Sequence, residues 1–147
     1  MKTLEFSVHI QSTAERLWNC LWAPENYQEW TSVFTEGSHY RTDAFVEGNK
    51  IHLLTPSGEG MYSILDKIII NKFLAFRHLG ELKNFEEQPV DEAVQGWTNA
   101  IESYEIVEKN GGLELLVKVD TVEEYIHHMN ATFPPALQKL KQMAEAG

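Results

Sequence analysis

The sequence predicts an α+β fold in which a run of antiparallel strands packs against a helix at the end of the chain. Three observations predict it. Residues 1–11 alternate between apolar and polar side chains, as a half-buried strand does. Several strand-like segments follow between residues 38 and 120, separated by short turn sequences. Residues 122–146 place apolar side chains three or four positions apart, as one face of a helix does.

The first strand ends at a sequence that predicts the start of a helix. Ser12 and Glu15 have the spacing of a capping box, in which each side chain bonds to the other residue's backbone N–H. Apolar residues then recur at helical spacing as far as Trp22, which predicts one short helix. Pro24 suits the first position of a helix, so we expect a second short helix from Pro24 to Trp30.

The middle of the chain predicts strands joined by short connections. They cover residues 38–42, 50–55, 60–70, 73–80, 97–108 and 113–120. The last two form a hairpin, because the residues between them tolerate the positive φ that such turns need. Residues 81–96 break the pattern with five acidic residues and one lysine. We interpret them as a solvated acidic loop, with a functional loop as the alternative.

The terminal helix is predicted over residues 122–146, with one break. Pro134 and Pro135 lack a backbone donor and clash with the preceding turn, so we expect the helix to break near Phe133 and restart. The side chains expected to be buried are Tyr125, Met129, Phe133, Leu137 and Leu140, whereas Glu124 and His128 are expected to face solvent.

Composition excludes several classes of function. The 147 residues, of which 43% are hydrophobic, suit one domain over residues 1–147. Acidic residues outnumber basic ones by 22 to 12, and a net charge of −10 disfavours nucleic acid and anionic membranes as partners. Cys20 is the only cysteine, which excludes an internal disulfide. No segment is apolar enough for a signal peptide or membrane span, so we expect a cytoplasmic protein.

The order of these elements resembles the SRPBCC superfamily, whose members include START-like and Bet v 1-like proteins. Local sequences are also similar to that family's first helix pair, central strands and terminal helix; they are Arg16–Tyr27 with Trp30, Gly58–Met61, Leu74–Glu81, Trp97 with Glu102–Tyr104, and Phe133–Leu137. Within the superfamily, the chain is similar to homologues of the heat-shock-protein ATPase activator. The resemblance covers nearly the whole chain but contains no catalytic motif, so it indicates a fold more than a function.

The resemblance implies a helix-grip fold, with a curved antiparallel sheet of about six to seven strands around a long C-terminal helix. It also implies a cavity between sheet and helix for a small apolar molecule. Alternation along the strands agrees, because one side of each strand is largely apolar and would face the terminal helix. Alternation is compatible both with an open cavity and with an interior that side chains fill.

His78 and Glu102 stand out because their neighbours on the same strand face are apolar. Both are therefore predicted to point inward, and antiparallel neighbouring strands would let the two side chains meet. A carboxylate next to a histidine can orient it as a general base. The alternative is a structural pair in which each buried polar group satisfies the other.

The remaining candidate residues would form the wall of the cavity. Trp30 is the expected mouth residue, because the resemblance places the second short helix near the entrance. The full set of candidate ligand-binding residues is Trp30, Phe76, His78, Glu102, Tyr104, Tyr125, Met129 and Phe133.

Other chemistry has little support in the sequence. The i,i+4 pairs of Glu123 with His127 and Glu124 with His128 lack the third protein ligand of a catalytic zinc site, so we expect exposed helix pairs and no metal. No nucleophile elbow and no glycine-rich phosphate loop is present, and no cofactor is expected.

Three functions follow from the sequence. The first is non-enzymatic binding of a small hydrophobic ligand, because such pockets combine apolar walls with a few oriented polar groups. The second is a protein-interaction module with a chaperone as its partner, which the resemblance implies. The third is a cyclase, dehydratase or hydrolase that uses His78 and Glu102 as acid–base groups, as some members of the superfamily do.

Overall fold

The computed structural model describes residues 1–146, and within them eight strands and four helices form. Their bounds are β1 Lys2–Ile10, α1 Ala14–Trp22, α2 Pro24–Thr31, β2 His39–Arg41, β3 Lys50–Leu54, β4 Gly60–Ile69, β5 Phe73–Lys83, β6 Glu86–Glu87, α3 Glu92–Gln95, β7 Ala100–Lys109, β8 Gly112–Thr121 and α4 Glu123–Glu145. The order predicted from the sequence is confirmed: a strand, two short helices, a run of strands and a terminal helix.

The strands form one antiparallel sheet. Its order is β1-β8-β7-β5-β4-β3-β2, and β6 pairs with β5 outside this path. Two register shifts interrupt the pairing of β4 with β5, one between Tyr62 and Ser63 and one between Leu65 and Lys67. Irregularities of this kind bend a strand and increase its twist, which helps the sheet curve around α4.

The start of α1 differs from the predicted capping box by one residue. Thr13, not Ser12, caps the helix, and its side-chain oxygen accepts a hydrogen bond from the Arg16 N–H at 3.2 Å. The Ser12 hydroxyl is buried without a hydrogen-bond partner among the described residues. Serine and threonine are both good caps, so two of them in succession do not reveal which one the chain will use.

Residues 81–96 are not the irregular loop that we expected, although most of them are exposed. They complete β5 and contain β6 and α3, and they bury Leu82 and Val94. One acidic residue fastens this segment to the sheet, because the Glu87 carboxylate accepts bonds from Lys50 Nζ at 3.0 Å and His52 Nε2 at 2.9 Å. The acidic composition predicts exposure to solvent, but the Glu87 side chain also pairs with two basic side chains of the sheet.

The predicted break in the terminal helix is wrong. The 23 residues of α4 continue through Pro134 and Pro135. Two prolines remove two helical donors, but Phe133, Leu137 and Leu140 are buried on both sides of them, and tertiary packing can outweigh such losses. Among the helices of residues 1–146, none is long and apolar enough to cross a membrane.

The N-terminal half of α4 is less buried than predicted. Tyr125 is 45% exposed and Met129 is half-buried, although Glu124 and His128 are exposed as expected. Contacts with β1 hold the other half; Lys141 Nζ, for example, donates to a backbone carbonyl of β1 at 2.5 Å. The apolar spacing is regular along the helix, so it gave no sign that only one half would be closely packed.

Aromatic side chains pack against one another beneath α1 and α2. Trp22 packs edge-on against Tyr104 and Phe76, with ring centroids 5.0 and 5.5 Å apart. Trp30 lies beside them and is almost fully buried, at 1% exposure. These rings form a buried aromatic cluster.

Candidate functional site

A cavity of about 310 Å³ lies between the sheet and the N-terminal half of α4. Strands β4, β5, β7 and β8 supply its floor, and Tyr125 and Met129 of α4 lie over it. Further apolar side chains in its wall are Met61, Leu82, Trp97, Ala100 and Val119. We call it the α4 cavity.

A second cavity of about 200 Å³ adjoins the first on the side of α2. Met61, Glu102 and Met129 line both, so these three side chains stand between the two spaces. The other apolar and aromatic residues in the second wall include Tyr27, Trp30, Phe34, Leu53, Tyr104 and Phe133. We call it the α2 cavity.

A chain of four hydrogen-bonded side chains runs from the sheet into these cavities. Ser63 Oγ lies 2.7 Å from His78 Nδ1, and His78 Nε2 lies 3.0 Å from Glu102 Oε1. The Tyr104 hydroxyl donates to Glu102 Oε2 at 2.5 Å. Ser63, His78 and Tyr104 are buried, and the Glu102 side chain keeps 17% of its surface exposed.

Strand register brings these four residues together. Ser63 pairs directly with His78 across β4 and β5. On the other side, His78 pairs with Ala100 and Phe76 pairs with Glu102 across β5 and β7, so His78 and Glu102 are diagonal neighbours on one face. Diagonal neighbours in a sheet are within reach of long side chains. The inward alternation read from the sequence predicts this meeting, and the structure shows it.

The protons in this network can be placed from the chemistry of the groups. An ionised Glu102 only accepts hydrogen bonds, so His78 Nε2–H and the Tyr104 hydroxyl both donate to it. His78 Nδ1 then accepts from the Ser63 hydroxyl when the ring is neutral and donates to it when the ring is protonated. Both imidazole nitrogens therefore have protein partners in either state.

The environment keeps Glu102 ionised. Burial acts to raise the pKa of Glu102, but hydrogen bonding to His78, the charge of that ring and the Tyr104 hydroxyl outweigh it, so the pKa lies below its usual value. Burial and the adjacent Glu102 carboxylate raise the pKa of Tyr104 well above its usual value. At neutral pH the network therefore presents a carboxylate to the cavities and a phenol that stays protonated.

Solved structures of other proteins share this architecture, although no family model and no curated protein matches the chain. The Aha1 dimer from Colwellia psychrerythraea is 17% identical with a TM-score of 0.74, over 100% of this chain and 98% of that one. The chain has the helix-grip fold. An AHSA1-like protein from Aeromonas hydrophila is 16% identical with a TM-score of 0.68, over 99% and 93% of the two chains.

A third solved structure, of a protein from Mesorhizobium loti, is 15% identical with a TM-score of 0.75, over 97% and 96% of the two chains. Likeness at these identities concerns the fold alone. At that level the fold that the resemblance implied is confirmed, because the chain shares its architecture with an Aha1 protein and an AHSA1-like protein.

The candidate residues predicted from the sequence fall into three groups in the structure. His78, Glu102, Tyr125 and Met129 line the α4 cavity. Trp30, Tyr104 and Phe133 line the α2 cavity, together with Glu102 and Met129. Phe76 lines neither cavity and packs in the aromatic core.

Trp30 differs from its expected role at the mouth. It is 1% exposed, and its ring nitrogen donates to the Leu21 carbonyl at 3.1 Å. A buried tryptophan usually finds such a partner for its N–H, and this bond fixes the ring in the wall. Tyr125, at 45% exposure, is closer to an entrance position.

Two residues of the site were not singled out from the sequence. Ser63 lines neither cavity but bonds to His78, and the alternation of Met61, Ser63 and Leu65 along β4 could have placed its hydroxyl on the inner face. Trp97 was read only as the start of a strand, whereas it precedes β7 and lines the α4 cavity.

Metal and thiol chemistry have no visible site in the part of the chain that the structure describes. No group of three or more histidine, cysteine, aspartate or glutamate side chains there is placed to hold a metal ion. Cys20 is buried, and burial raises the pKa of its thiol, which lowers its fraction of reactive thiolate.

Proposed function

We propose that this protein binds a small, largely apolar molecule in the α4 cavity without catalysing a reaction on it. The observation that carries the proposal is an apolar-walled space of about 310 Å³ that contains one oriented carboxylate network. Ligand sites in proteins have about 300–1,000 Å³ and combine apolar walls with a few placed polar groups. A space at the lower end of that range fits a compact ligand.

The geometry of the network favours binding over acid–base catalysis. Both nitrogens of His78 are bonded to protein groups, so the ring has no free lone pair for a substrate proton. Glu102 does reach the cavity, but its lowered pKa makes it a weak base. The network is therefore better suited to orienting a bound molecule than to moving its protons.

A protein-interaction role is the second candidate. Its support is the shared fold with structures of an Aha1 dimer and an AHSA1-like protein. Titration of the protein into a chaperone ATPase assay tests it, and an unchanged rate together with an empty pull-down would remove it. A cytoplasmic location and a single domain over residues 1–147 belong to both proposals.

The binding proposal can be tested with the neutral fluorophore N-phenyl-1-naphthylamine. We expect saturable binding at one site per chain, measured by fluorescence and by native mass spectrometry. Met129→Trp fills space in both cavities and should weaken binding about tenfold or more, since a loss of about 1.4 kcal/mol suffices.

The matched control is Met143→Trp. Met143 is also half-buried on α4 but lines neither cavity, so this variant should bind like the original protein. Absence of saturable binding, or equal losses in the two variants, would contradict a ligand site in the α4 cavity.

A further inference from the structure

The charged side chains around the α4 cavity are mostly acidic. Four carboxylates line it, and the basic groups of the same wall are Lys83 and His78. The acidic residues are Glu59, Glu81, Glu102 and Asp120. The whole chain carries a net charge of −10, so the surrounding field also favours positive ligands over negative ones.

These carboxylates differ in their burial and in the hydrogen bonds that their oxygens already accept from the protein. Asp120 is committed to the sheet, because Oδ1 accepts from the Thr3 hydroxyl at 2.6 Å and Oδ2 accepts from the Ile101 N–H at 3.0 Å. Glu59 is exposed and lies at the edge of the wall. Glu81 and Glu102 are both half-buried, but of the four only Glu102 lies on the boundary of both cavities.

Glu102 has capacity for a further donor. Its two oxygens offer about four lone-pair positions, and His78 and Tyr104 use one on each oxygen. The 17% of the side chain that remains exposed lies along the cavities. A charged donor from a ligand would form a stronger hydrogen bond there than a neutral one would.

The rest of the wall suits an apolar body attached to that donor. Trp97 and Tyr125 bring aromatic rings to the same cavity, and such rings attract both apolar groups and cations. An anionic ligand would instead meet the repulsion of the lining carboxylates.

We infer that the ligand of the α4 cavity is a cationic amphiphile, a compact apolar body with a primary or secondary ammonium group that donates to Glu102. This inference rests on the proposed binding function and adds the chemical class of the ligand. The ammonium hydrogens take the unused lone pairs of Glu102, and the apolar body packs against Met61, Trp97 and Met129.

Three naphthalene probes of similar shape test the inference by isothermal titration calorimetry. They are 2-naphthylmethylamine, which is cationic, 2-naphthylmethanol, which is neutral, and 2-naphthoate, which is anionic. We expect the amine to bind about tenfold more tightly than the alcohol, the difference between a charge-assisted and a neutral hydrogen bond. The carboxylate should bind more weakly than both.

Two variants connect this preference to one side chain. Glu102→Gln keeps the shape and should reduce the amine-to-alcohol ratio to about one, because the charge-assisted bond is lost. Glu105→Gln changes the same charge on the same strand outside both cavities, so its ratio should stay at the original value. If Glu102→Gln does not fold, the amine-to-alcohol ratio of the original protein is the second test, and a ratio near one would overturn the inference.

The outcomes separate the inference from the proposed function. Equal binding of amine and alcohol to the original protein, or tightest binding of the carboxylate, would overturn the cationic ligand but leave the binding site standing. A preference that survives in Glu102→Gln would also overturn it. Failure of all three probes and of N-phenyl-1-naphthylamine to bind would overturn both.

Discussion

The two halves of α4 have the same apolar spacing but different surroundings. The C-terminal half buries Leu137 and Leu140 in the core. The N-terminal half leaves Tyr125 45% exposed and holds Met129 half-buried over a cavity of about 310 Å³. One helix therefore closes the fold with one half and leaves space for a ligand under the other.

The strands below explain the difference. The C-terminal half packs against β1, where Lys141 Nζ donates to the His9 carbonyl at 2.5 Å, and at the middle of the helix Phe133 stacks on Phe6 with ring centroids 4.9 Å apart. The N-terminal half lies over β4 and β7, which present the small residues Gly60 and Ala100 to the cavity. Small side chains on the floor leave volume that Met129 alone does not fill. The comparison implies that core and cavity mutations should separate stability from binding.

The largest expected effect is in the closed half. Leu140→Ala should lower the free energy of unfolding by about 2–5 kcal/mol, because it removes a fully buried leucine side chain and leaves a cavity. Urea denaturation measures this loss. Binding of N-phenyl-1-naphthylamine to the folded fraction should not change, and a loss below about 1 kcal/mol would mean that this half is loosely packed too.

An intermediate effect is expected where the sheet supports the open half. Ser63→Ala should cost about 1–3 kcal/mol, because His78 Nδ1 loses its partner while it stays buried. Thermal unfolding gives the comparison with Ser103→Ala, which removes a buried hydroxyl on β7 that lines neither cavity. Equal, near-zero changes in the two variants would show that the network adds nothing to stability.

A smaller loss of stability is expected at the open half itself. Met129→Ala should cost about 1 kcal/mol, because only part of this side chain is removed from water in the folded protein. Its effect should be larger on ligand affinity, measured by fluorophore titration. Losses as large as those of Leu140→Ala would indicate a filled core under both halves, and the binding proposal would lose its physical basis.

The smallest effect concerns pH, because one carboxylate among 22 acidic residues is involved. The pKa of Glu102 is lower in the folded chain than in the unfolded one, so the ionised group stabilises the fold above its unfolded pKa of about 4.3. This stabilisation is lost as the pH falls from there through the folded pKa. Denaturation of Glu102→Gln should therefore show a shallower loss of stability below about pH 4.3; identical profiles would contradict the pKa assignment.

Periodicity predicted most of the fold. Alternation identified β1 and placed His78 and Glu102 on the inner face, since a strand's two faces follow directly from its sequence. Ser63 lies on the same inner face, and this position was not predicted, although alternation along its strand indicates it. The start of α1 was misplaced because Ser12 and Thr13 are both suitable caps.

Features that depend on tertiary packing were not predictable from local pattern. The continuity of α4 through Pro134 and Pro135 depends on the burial of residues around them. The exposure of Tyr125 depends on how far the sheet extends beneath the helix. The spacing of apolar residues along the helix does not indicate that extent. The cavity itself is a difference between the volume enclosed and the volume filled, and that difference appears only once the strands are assembled.

The most direct test uses the methyl groups of the four methionines as internal probes. In the protein labelled with ¹³C at the methionine methyls, Met61 and Met129 line the α4 cavity, whereas Met1 and Met143 do not. Titration with N-phenyl-1-naphthylamine should shift the NMR signals of Met61 and Met129 in a saturable way and leave those of Met1 and Met143 in place. Shifts confined to Met1 and Met143, equal shifts of all four signals, or no shifts at saturating probe would contradict a ligand site under the N-terminal half of α4.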